Sequence, residues 1–106
     1  MKIISSQHFL DWDIVEKKME ELKSLDSIEI PCCEIGEIDN EEYAVQTDGH
    51  HTLAAARELK IRIDFVFSED PEGLTGERYL EAHWMDGDWY DVENSDPSME
   101  RYRLIW

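Results

Sequence analysis

Between Tyr43 and Phe67 the sequence YAVQTDGHHTLAAARELKIRIDFVF constrains the fold more than any other stretch. Tyr43 to Gln46 reads as a strand, and Thr47, Asp48 and Gly49 read as a tight turn. A helix then opens at His50 and is followed by a second strand from Arg62 to Phe67. The helix, His50 to Leu59, is rich in strong helix formers, and its small alanines allow close approach to a sheet, with Leu53, Ala56 and Leu59 or Lys60 on the buried face. In the following strand Ile61, Ile63, Phe65 and Phe67 fall on one side and Arg62, Asp64 and Val66 on the other. Strand, helix and strand make a βαβ-like unit, with the relative direction of the strands left open.

The turn gathers an aspartate, two histidines and a hydroxyl residue at the amino end of a helix. Free backbone N–H groups and the helix dipole favour an anion there. On the residues alone, Gly49 to Thr52 hold a phosphate, His51 serves as a hydrogen-bond donor or general acid/base, and Asp48 orients a histidine or a metal-bound water. The plainer alternative has one imidazole packed beneath the helix and the other solvated. No zinc-like ligand spacing accompanies these histidines, so no metal centre is expected.

Asp48, Gly49, His50, His51, Leu53, Ala55, Ala56 and Leu59 match the D-G-H-H-R-L-x-A-A-x-x-L pattern of the ParB/sulfiredoxin-like superfamily, and this stretch resembles its small ParB-like members. The resemblance implies a mixed α/β fold whose turn and helix start bind nucleotide or phosphate, with a nucleoside triphosphate and magnesium as the implied cofactors. A hydrolytic activity, NTPase or nuclease-like, is a further implication. Thr52 stands where the family carries arginine, and Arg57, further along the helix, replaces that charge only by folding back. His50 stands where sulfiredoxin has its reactive cysteine. Cys32 and Cys33 lie on another strand, so reductase chemistry is not expected.

The rest of the chain supplies the partners for this unit. Phe9, Trp12, Val15 or Ile14, Met19 and Leu22 recur at helical steps, giving an amphipathic helix over Gln7 to Lys23 capped by Ser5 or Ser6 after a short entry, Ile3 to Ser6. Ile28 to Cys33 reads as a strand, with Pro31 marking an edge or an end. Glu34 to Ile38 is a short strand before a hairpin. Leu74 to Trp84 reads as a helix with Leu74, Arg78 or Tyr79, and Ala82 on one side and Thr75 as cap. Trp89 to Val92 and Met99 to Trp106 read as strands. A chain of 106 residues that is 42% hydrophobic suits one domain with one core. The fold class is therefore a single-domain α/β mixed sheet flanked by helices over residues 1–106, with an acidic portion at 68–106.

Within that portion, Ser68 to Glu100 carries most of the charge imbalance. The chain has 26 Asp and Glu against 10 Lys and Arg, a net charge of −16, and between Ser68 and Glu100 Arg78 is the one strong base. Such a surface repels phosphate backbones, which argues against direct nucleic-acid binding. A second function follows, of a different class: a non-enzymatic acidic protein of a phage or mobile element that engages a basic, nucleic-acid-binding partner as a mimic or inhibitor. Its contact residues would be Trp84, Asp86, Asp88, Trp89, Tyr90 and Asp91, aromatics flanked by carboxylates. The spacing of the aspartates lacks the later ligands of a calcium loop. Adjacent Cys32 and Cys33 do not bridge each other. The apolar run after Met1 stops at Ser5, and no stretch is long enough to cross a bilayer, so a cytoplasmic location is expected.

Overall fold

The structure, a computed structural model, describes all residues from Met1 to Trp106. Five strands form one mixed sheet in the order β4-β2-β3-β1-β5. They are β1 (Lys2–Ser5), β2 (Ser27–Ile38), β3 (Glu41–Gln46), β4 (Arg62–Glu69) and β5 (Tyr90–Asp91). Helices α1 (Trp12–Leu22) and α2 (His50–Leu59) cover one face, and α3 (Gly76–Ala82) covers the other. This is the α/β mixed sheet flanked by helices that the sequence implies.

Strand alternation divides the core into two layers. Ile3, Ile28, Ile30, Cys32 and Ala44 point toward α1 and α2, where they meet Val15, Leu22, Leu53, Ala55 and Ala56. Ile4, Cys33, Ile35, Tyr43 and Val45 point the other way, toward Tyr79 and Leu80 of α3. Burial of an aliphatic side chain of this size contributes about 1.5–3 kcal/mol, so the two layers account for most of the favourable term. The adjacent cysteines thus face opposite layers, both buried and both free.

Several local expectations shift. Ile3 to Ser6 is no mere entry, because Lys2–Ser5 is a strand lying between β3, to which it is parallel, and β5, to which it is antiparallel. Four residues with distant partners leave no local signature. Helix α1 begins at Trp12, later than expected, with Asp11 as its cap, the carboxylate accepting from Asp13 N and Ile14 N. Ser5 and Ser6 instead hold an extended strap: Ser5 Oγ accepts from Gln7 N, and Ser6 Oγ accepts from Met85 N. Phe9, expected in the buried stripe, lies on that strap and is exposed.

Pro31 sits inside a long inner strand and not on an edge strand. Its carbonyl accepts from Thr47 N where β3 ends, so the missing N–H falls on the β3 side just beyond the ladder. The expected Glu34–Ile38 strand continues β2 after a bulge at Ile35, with Gly36 at φ +83°. Asp39 and Asn40, both with positive φ, make the two-residue hairpin turn into β3. The strands joined by α2 are not a parallel pair, since β2 lies between them, antiparallel to β3 and parallel to β4. Helix α3 is shorter than expected and buries Tyr79 and Leu80, with Leu74 only partly covered. The carboxy-terminal segment forms no continuous strand. A 3₁₀ turn at Pro97–Met99 is closed by a bridge between Asp96 and Arg101 and followed by one between Leu104 and Tyr90. No helix is long and apolar enough to cross a membrane.

Candidate functional site

The turn into α2 needs a glycine for two reasons. Gly49 adopts φ +78°, in the left-handed region, and a Cβ there would stand 2.9 Å from Ile30 Cδ1. Asp48 folds back on the turn, its Oδ1 accepting from Gly49 N at 2.7 Å, while Gln46 Nε2 donates to Asp48 O. No side chain caps the amino end of α2. That end opens onto a shallow hollow of about 330 Å³ whose lining includes Lys18, Glu29, Asp48, Gly49, His51 and Thr52.

The two histidines diverge. His51 Nε2 accepts from Asp11 N at 3.1 Å, so the proton of the neutral ring sits on Nδ1 and the imidazole ties α2 to the start of α1. Asp48 and His51 therefore each spend an acceptor on the backbone, and no hydrogen bond joins them. His50 is 8% exposed, and its Nε2 has no hydrogen-bond partner. Burial lowers its pKa to about 4, and the neighbouring His51 adds to the effect. Its side chain forms part of the wall of two cavities, the hollow at the helix start and a deeper one on the other side.

The deeper cavity, about 300 Å³, lies between α2 and the loop at Ser95–Ser98. Leu53 and Arg57 recur with His50 at helical steps and form its α2 side. Leu10 and Trp12 come from the strap and α1, Tyr90 and Val92 from β5 and its continuation, and Ser95 and Ser98 bring hydroxyls. Glu58 and Asp96 also reach the lining. Arg57 is partly buried, and burial lowers its pKa from the ordinary guanidinium value. Its Nη2 donates to Val92 O at 2.7 Å. No carboxylate lies within ion-pairing distance, although the chain carries 26 acidic side chains. A guanidinium has five donors, so most of its hydrogen-bonding capacity is left for the cavity.

The sequence-derived residues are thus distributed over two places. Gly49, His51 and Thr52 line the hollow at the helix start, Arg57 lines the deeper cavity, and His50 belongs to both. Trp12, Ser95 and Ser98 escaped sequence reasoning because three distant segments bring them together, with no shared motif to connect them. No three His, Cys, Asp or Glu side chains converge as metal ligands.

The aromatic and acidic set at 84–91 also divides. Trp84 is 57% exposed, and its ring N–H donates to Gly87 O. Trp89 is half-buried and Asp88 is exposed, but Tyr90 and Asp91 are buried. Asp86 accepts from His8 N and Phe9 N, and Asp91 accepts from Glu93 N and Asn94 Nδ2. Their carboxylates hold the strap and the loop, leaving Trp84, Asp88 and part of Trp89 to face outward. Comparison with protein-family models, with curated proteins and with solved structures gave no match.

Proposed function

We propose that this chain is a binding domain for a small phosphate-bearing ligand of the nucleotide class, received in the cavity between α2 and the Ser95–Ser98 loop. The observation that carries this reading is Arg57. A guanidinium that loses hydration in an acidic protein ordinarily recruits a carboxylate, yet this one spends a single bond on a carbonyl and turns toward a cavity. A phosphate offers the planar fork two oxygens at once. The hydroxyls of Ser95 and Ser98 suit a sugar or phosphate, and Trp12, Leu53 and Tyr90 provide apolar surface for a base. His50 adds an unpartnered ring nitrogen to the same wall. The hollow at the helix start is built on the turn that resembles the ParB-like nucleotide sites, and the cavity takes its α2 wall, His50, Leu53 and Arg57, from the same stretch. The reading is of binding, with no reaction assigned, because His51 and Asp48 are each engaged by the backbone.

The test is a thermal-shift series with nucleoside mono- and triphosphates, with and without magnesium, on the native chain and on Arg57→Met. A ligand at a hundredfold excess over its Kd stabilises by about 2.7 kcal/mol, which for a domain of this length raises the midpoint by about 10–20 °C. The expected result is a rise with at least one nucleotide that Arg57→Met loses while keeping its own midpoint. No rise at millimolar concentration, or an equal rise in the variant, would sink the reading. The outward-facing Trp84 and Asp88 would then give the acidic-partner function the stronger basis.

A further inference from the structure

The sheet has one closed edge and one open edge. Beyond β5 the carboxy-terminal segment continues the pairing, with Asp91 N donating to Arg103 O and Ile105 N donating to Trp89 O. At the other edge β4 pairs with β2 through eight successive residues, and no strand follows it. It contains neither proline nor glycine nor bulge, and its charges, Arg62, Asp64 and Glu69, leave Phe65 to Ser68 without one.

The ladder determines which groups β4 leaves free. Pro31 O faces β3, so the backbone groups of Ile30 and Cys32 face β4, and Val66, opposite Pro31, bonds inward between them. The N–H and C=O groups of Ile63, Phe65 and Phe67 therefore point outward. Val66 is 45% exposed and Phe67 42%. Charge runs along the strand from Lys60 and Arg62 at its start to Glu69 and Asp70 at its finish, with Asp64 tied to Arg62 at 3.0 Å.

We propose that β4 is a homodimer interface, pairing antiparallel with β4 of a second copy to extend the sheet across a twofold axis. Charge selects both the occupant and the direction. Antiparallel pairing sets the cationic start of each strand against the acidic finish of the other, whereas parallel pairing would set like ends together. The outward row Ile63, Phe65, Phe67 is symmetric about Phe65, so a twofold axis there matches apolar residue to apolar residue. The net charge of −16 on each copy opposes association at long range, and salt screens that repulsion more than it weakens backbone pairing. The dimer accordingly tightens as salt is raised.

Sedimentation equilibrium of the full chain, in low and in half-molar sodium chloride, tests the interface. The expected mass rises from 12.5 kDa toward twice that value, at lower protein concentration in the higher salt. Phe67→Pro removes an outward N–H while leaving the β2 ladder intact and is expected to be monomeric with unchanged circular dichroism. Should that variant unfold, Phe67→Lys takes its place with the same expectation. In a second pair, Lys60→Glu weakens the dimer and Lys60→Glu with Asp70→Lys restores it, since an axis at Phe65 sets these two positions opposite each other. A wild-type chain monomeric in both salts at all concentrations would overturn the proposal. A folded Phe67 variant that dimerises like wild type would do the same, by placing the contact elsewhere.

Discussion

His50 makes stability depend on pH in a window where few other groups titrate. In the native chain its pKa is lowered from 6.5 to about 4, because burial of the ring outweighs the Asp86 charge and the Phe9 backbone contact that favour its charged form, and Nε2 has no partner. The unfolded chain takes up that proton near the ordinary value, so below it the unfolded state binds more protons and stability falls. The penalty is absent well above pH 6.5, grows as pH drops, and is complete below about 4. The difference of about 2.5 units corresponds to about 3 kcal/mol in total, of which about 2 kcal/mol develops between about pH 7 and pH 5. Urea unfolding of the native chain and of His50→Gln across that interval isolates the effect, since His8, His51 and His83 remain in both. The native chain is expected to lose about 2 kcal/mol more than the variant. Equal pH slopes in the two proteins would refute the reasoning, as would a folded-state imidazole resonance that titrates near 6.5 and is missing from His50→Gln.

Two further outcomes follow from the same geometry. Gly49→Ala forces a side chain into a left-handed turn and against Ile30, and is expected to cost about 1–2 kcal/mol from the backbone alone, with more from the contact, read as a lower urea midpoint. Burial raises the Cys32 thiol to about 12 and raises Cys33 as well, so neither is expected to react with a thiol reagent near neutral pH until urea unfolds the chain; prompt labelling of the folded protein would contradict the packing.

Local chemistry made part of this architecture legible. The limits of α2 follow from Gly49 before it and from the left-handed Lys60 after it, and the hairpin at Asp39 and Asn40 follows from turn residues suited to positive φ. Signals were weaker where partners are distant. Lys2–Ser5 is a strand only because β3 and β5 flank it, and the strap before Asp11 stays extended because Asp86 and Ser6 compete with helix formation. The helical period alone would have continued through Phe9. The candidate site shows the same division. Asp48 to Thr52 are contiguous and conspicuous, whereas the cavity of Arg57 depends on a loop some forty residues further along the chain, whose serines carry no recognisable pattern.

The position of β1 also constrains how the chain is made. Ile3 and Ile4 leave the ribosome ahead of every partner in the sheet: their parallel partners on β3 begin at Tyr43 and the antiparallel partner of Ile4 is Asp91. The α1–α2 layer and the β2–β3 hairpin can assemble while synthesis proceeds, yet β1 stays without its second neighbour until Tyr90 and Asp91 have emerged. Two of the most deeply buried isoleucines therefore wait for their partners through most of the synthesis of this sheet. Closure of the sheet, a pairing of large sequence separation, is expected to be the late and slow event in folding.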